Sequence, residues 1–174
     1  MRVVETSTYR GPHLYSHRPM IRVQLDLGAL EAWPTHRLHG FTDRLLVALP
    51  GLERHGCCFR TPGGFVRRLR EGTWLGHVIE HVALELQCLA GSEVSRGKTR
   101  SVKGRPGVYN ILYVYETEGL GRAAGRAALL LHERPAAEQG LHLGVVDGQQ
   151  GVGDGVAGLG QRDVVLAEIG RAHV

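Results

Sequence analysis

The sequence predicts an α+β domain: a small mixed or antiparallel sheet packed by helices, with one long central helix. Three observations carry this. Met20 to Leu27 alternates apolar and polar residues, the pattern of a half-buried strand. Gly107 to Thr117 is rich in Val, Ile and Tyr and reads as the strongest strand. Between them lie three segments with apolar residues at helical spacing, ending in the run Trp74 to Ala90. The order ββαααβα lacks the regular alternation of a doubly wound parallel sheet.

Each element has a local reason. Met1 to Tyr9 is rich in β-branched residues and predicts a first strand, closed by a turn at Arg10-Gly11-Pro12. Pro34 to Gly40 is a loop. Phe41 to Leu52 places Leu45, Leu46 and Leu49 on one helical face, and Pro50 cuts that helix short. Cys57 to Gly64 is a second loop, followed by a short basic helix with Arg67, Arg68 and Arg70. Thr73 is the expected N-cap of the long helix Trp74 to Ala90, and Gly91 its C-cap. Ser92 to Pro106 is polar and basic and predicts a flexible segment. Glu118 to Leu131 is Ala-rich and predicts a last helix.

The chain has 174 residues, enough for one domain with a sizeable core. Its apolar share of 43% and charged share of 22% fit a soluble globular protein. No apolar run approaches the ~18 residues of a membrane span, and Met1 to Thr6 lacks a signal-peptide pattern. Three cysteines, an odd number, argue against a disulfide framework and for a reducing, cytoplasmic setting. Residues 1–128 hold 18 Lys+Arg against 11 Asp+Glu, a net of +7, whereas residues 129–174 hold 3 against 6, a net of −3. The first part therefore favours an anionic partner. No basic run is interleaved with aromatics, so a nucleic-acid platform is not expected.

Residues 129–174 form a separate stretch in composition. They include nine glycines and no aromatic residue other than histidine, and predict a disordered, Gly-rich tail. Gly151-Val152-Gly153-Asp154-Gly155 lacks the Lys-Ser/Thr of a phosphate loop and is not read as one. The last seven residues, Glu168 to Val174, correspond to a common sequencing adapter translated in frame. The expectation is a reading frame that runs into adapter, with a frame shift upstream.

Chemistry concentrates in Gly76-His77-Val78-Ile79-Glu80-His81. On a helix, His77 and His81 project from one face and can grip one metal ion. This is the H-x-x-E-H order, the mirror of H-E-x-x-H. Zinc is the default for imidazole plus carboxylate, and Glu80 stands where it can take a proton from a metal-bound water. A third ligand is expected from elsewhere, with Glu116 or Glu118 as candidates. Glu85 lies about 12 Å from His77 along the axis, so one ion cannot bridge the two and Glu85 is at most a supporting or a structural residue. His55-Gly56-Cys57-Cys58 is a weaker metal candidate, and Cys88 reads as a core residue. Arg96, Lys98, Arg100, Lys103 and Arg105 could hold carboxylates or phosphates, or simply solubilise their segment. The contrary reading of the two histidines is a structural one, lining a polar groove.

Several segments, in order, resemble a known family: Arg10-Gly11-Pro12, Pro62-Gly63-Gly64-Phe65, Glu71 to Gln87, Lys98-Thr99-Arg100 and Pro106 to Asn110. They look like the N-terminal domain of cyanophycin synthetases, over residues 1 to about 128. Departures stand at His13, Tyr15, Cys58 and Lys98. Val114 occupies a position where Glu is common, which removes one acidic candidate from that strand.

The resemblance implies an enzyme that builds an Asp-Arg polymer without ribosomes. ATP and Mg would be used by an ATP-grasp region and a Mur-ligase-like region, neither of which is present here. It implies that this domain binds the polymer cyanophycin. It also implies, for some members, cleavage of the polymer into primers, with His77 and His81 on zinc and Glu80 as general base. Arg96, Lys98 and Arg100 would contact polymer carboxylates, and the parent would be a homo-oligomer. The competing expectations are a pure binding module and a stand-alone small metallopeptidase.

Overall fold

A computed structural model describes residues 1–138, with side chains described through Leu131. The reading of the tail from residue 139 onward, adapter included, lies outside the described residues.

Four strands form one antiparallel sheet: β1 (Arg2–Tyr9), β2 (Met20–Asp26), β3 (Gly97–Val102) and β4 (Arg105–Val114), in the order β1-β2-β4-β3. The register pairs Val23 with Ile111 and Ile111 with Thr99, so these three share one face. Ile21, Val23 and Leu25 of β2 are buried while Arg22, Gln24 and Asp26 are half-exposed, as the alternation predicts. β1 lies at one edge and is largely exposed, with a bulge between Val3 and Glu5.

Four helices complete the domain: α1 (Phe41–Ala48), α2 (Gly64–Glu71), α3 (Leu75–Leu89) and α4 (Glu118–Glu138). α1 stops before Pro50, which instead opens a short 3-10 turn, Pro50–Arg54. α3 is buried on nearly every side, including Val78, Ile79, Val82, Ala83 and Leu86. It packs against β3, β4 and α4 and is the core of the domain. Phe65 and Leu69 of α2 and Ile21, Leu25 and Ile111 of the sheet close around it.

Two expectations change. Thr73 does not cap α3 through its side chain: Trp74 is the N-cap residue, and the Thr73 hydroxyl instead meets His77. The polar segment Ser92 to Pro106 contains β3 rather than a free loop. β3 is an edge strand whose inward-facing Thr99 meets the carboxylate of Glu80. No apolar alternation is needed there, so periodicity gave no strand signal. Gly104, with φ +75°, turns the chain into β4.

Candidate metal centre

α3 places His77, Glu80 and His81 at the edge of a cleft between the Cys57 turn and β3. Loop geometry completes the set. Phe65 N–H of α2 donates to the His55 carbonyl at 3.0 Å, and Gly63 N–H to that of Glu53 at 2.8 Å. A Cβ on Gly64 would overlap the Gly56 carbonyl, so glycine lets this turn sit directly on α2. The turn Cys57–Phe59 opens on a left-handed non-glycine residue, Cys57 (φ +48°), and is followed by another, Arg60 (φ +57°). Such backbone costs about 1–3 kcal/mol per residue and clusters at functional sites.

Among the described residues, Cys57, His77 and His81 each offer one ligand atom, all within 4.8 Å of one another. Cys57 Sγ is 3.4 Å from His77 Nε2. Tetrahedral zinc with one sulfur and one nitrogen ligand separates them by about 3.6 Å, so the donor set fits such an ion. The opposite nitrogen of His77, Nδ1, lies 2.9 Å from Thr73 Oγ1. That contact leaves Nε2 for a metal. Burial, aided by the charge of Arg68, lowers the His77 pKa to about 4. Burial, with His77 and His55 nearby, lowers that of His81 to about 2. Both rings are therefore neutral at physiological pH, the form that ligates. Burial pushes the Cys57 thiol up to about 11, a preference that metal coordination reverses.

Glu80 is buried and receives a hydrogen bond from Thr99 Oγ1 to Oε2 at 2.6 Å. Burial raises its pKa to about 7 despite that bond. A carboxyl group so poised can accept and return a proton near neutral pH. The cleft around these groups has a volume of about 880 Å³. Arg54, Arg60, Arg68, Arg96 and Lys98 are among its lining residues.

The family described as cyanophycin synthase-like N-terminal domain matches residues 22–135. The chain belongs to this family. It is 47% identical over 133 residues to the cyanophycin synthetases of Trichormus variabilis and of a Nostoc species. It is 45% identical over 133 residues to that of a Synechocystis species. Each match covers 75% of this chain and 15% of the relative. The chain thus spans a small part of the length of the cyanophycin synthetases it matches.

In this cyanophycin synthase-like domain His77 and His81 share one ligand group, and Glu80 lines the same cleft. The acidic third-ligand candidates do not join them. Glu116 accepts the Glu93 N–H at 3.0 Å, and Glu118 pairs with Arg10 and Arg122. The physical reason is position along α3. The end of β4 lies beside Gln87, whose amide donates to the Val114 carbonyl at 3.2 Å. Gln87 is ten residues, or about 15 Å, beyond His77. The third member is Cys57, from the segment the sequence marked only weakly. Cys88 donates to the Val94 carbonyl at 3.1 Å, apart from the group. Arg96 and Lys98 reach the cleft, whereas Arg100 is exposed on β3 and is not among the cleft residues. His55 was marked only within the weaker His55-Gly56-Cys57-Cys58 candidate, and Thr99 had no spacing signal, because both contact α3 only through the tertiary fold. No helix among the described residues is long and apolar enough to cross a membrane.

Proposed function

We propose that this domain is the N-terminal part of a cyanophycin synthetase and that its cleft is a zinc-dependent peptidase site acting on the Asp-Arg polymer. The unit that carries the site is the domain read from the sequence as residues 1–128. Polymer synthesis with ATP and Mg would belong to the ATP-grasp and Mur-ligase-like regions of the parent, which would work in the cytoplasm as a homo-oligomer. The observation that carries the peptidase reading is the Cys57–His77–His81 group with Glu80 beside it in an open cleft. A donor set of three protein ligands leaves a fourth position for water or substrate, the arrangement of catalytic rather than structural zinc.

Zinc held by Cys57, His77 and His81 would supply Lewis acidity and a water of lowered pKa. Glu80 would take that water's proton on its carboxylate and deliver it to the leaving amine. Thr99 holds Glu80 in place for this transfer. Arg96 and Lys98, with Arg54, Arg60 and Arg68, would draw in the polymer by its carboxylates.

The test is Glu80→Gln. The variant should keep its zinc, measured by elemental analysis, and lose at least ~100-fold of polymer-cleaving activity, the usual weight of a general base. Wild-type protein that carries no zinc and cleaves no polymer would leave a pure binding module in its place, and unchanged cleavage by the variant would remove Glu80 from the reaction.

A further inference from the structure

Behind His81 stands a pair of residues that the reaction itself does not use. His55 Nδ1 lies 2.9 Å from His81 Nδ1, and His55 Nε2 lies 3.0 Å from Glu85 Oε2. The Glu85 side chain is only 3% exposed and that of His55 17%. We propose that Glu85 and His55 are positioning residues that hold His81 in the tautomer with its proton on Nδ1, leaving Nε2 to bind the metal. The proposal rests on the metal reading above, and goes beyond it in assigning roles to two residues outside the ligand set.

With His55 neutral, the chain of hydrogen bonds runs in one direction. A carboxylate only accepts, so His55 must carry its proton on Nε2. Its Nδ1 is then an acceptor, and His81 Nδ1 must donate to it. That leaves the lone pair of His81 on Nε2. His77 likewise has its Nδ1 occupied, by Thr73 Oγ1 at 2.9 Å. Each histidine of the candidate centre therefore has an outer partner on the same ring nitrogen, as metal-ligating histidines commonly do.

A second observation shows that the site is built around Glu85. Gly51, in the short turn that leads to His55, has its α-carbon against the carboxylate. Any Cβ there would overlap Glu85 Oε1. Among the described residues Oε1 has no hydrogen-bond partner, and Arg54 Nη2 lies 3.9 Å from it. Burying an incompletely paired carboxylate is expensive, and replacement by an apolar residue would be the cheaper way to fill the space. Orientation of His81 gives a reason for a carboxylate at the end of this imidazole pair.

Long-range proton–nitrogen NMR of the metal-free full chain, with ¹⁵N-labelled histidine, reads the tautomer directly. Wild-type His81 should show its proton on Nδ1. Glu85→Leu should shift His81 to a mixture, and Glu85→Gln, whose amide oxygen can still accept from His55, should largely keep the wild-type pattern. Zinc affinity, by competition with a chromogenic chelator, should fall about 10- to 100-fold in Glu85→Leu and His55→Phe, and less in Glu85→Gln. A wild-type His81 protonated on Nε2, or a Glu85→Leu variant that is folded by circular dichroism with an unchanged His81 tautomer, overturns the proposal. Wild-type protein that binds no zinc defeats the metal reading instead, and the tautomer still decides the pair.

Discussion

Glu80 has room in the fold because Gly97 has no side chain. A Cβ on Gly97 would come 2.6 Å from Glu80 Cγ and 2.7 Å from Oε1. Glu80 is buried and tied to Thr99, so it cannot simply swing aside. Gly97→Ala should therefore displace the carboxylate while leaving Cys57, His77 and His81 untouched. The expected result is polymer cleavage reduced about 100-fold, the cost of ~1 Å of misplacement, with zinc content unchanged. A loss of zinc in parallel with activity would show that Gly97 supports the fold instead. The same residues mark what a sequence can disclose. His77, Glu80 and His81 are legible because their geometry is local to one helix. Cys57 and His55 are legible only weakly and Thr99 not at all, since each reaches α3 across space from a strained turn, a loop or an edge strand.

At the scale of elements, α3 is the best-signalled part of the chain, and its end is built as its sequence suggests. The Ser92 N–H donates to the Gln87 carbonyl and the Gly91 N–H to that of Cys88, both at 3.0 Å. This is a Schellman motif, and it requires the left-handed Gly91, at φ +93°. A Cβ there would meet nothing within 4 Å, so Gly91→Ala tests backbone conformation alone. It should lower unfolding free energy by about 1 kcal/mol. In urea titration the midpoint should fall at unchanged slope; an unchanged midpoint would contradict the assignment of the cap. β3 shows the converse. Lys98 and Arg100 are exposed and the half-buried Thr99 meets a carboxylate, so a strand that shapes the cleft carries no hydrophobic signature. Fold class was readable because β2, β4 and α3 bury apolar faces. β3 was not readable, because it completes a polar site.

The candidate centre also binds distant parts of the molecule together. Cys57 comes from the turn ahead of α2, and His77 and His81 from the core helix, so one ion would cross-link the turn to α3. An ion that binds only the folded state stabilises it by linkage, by about 4 kcal/mol at a free concentration 1,000 times Kd. For a domain of this size that is a rise in Tm of about 10 °C. Chelator-treated protein should therefore melt lower and recover on addition of zinc, in a thermal scan followed by circular dichroism. Cys57→Ala and His77→Ala should melt at one temperature with or without zinc. Magnesium should give no recovery, because it demands oxygen ligands. Both histidines are already neutral above about pH 5, but the Cys57 thiol must lose its proton to bind, so the zinc-induced rise should shrink as pH falls from about 8 to about 5. A zinc effect of equal size in Cys57→Ala would place the ion elsewhere, and with it the reading of the cleft as a three-ligand site would fall.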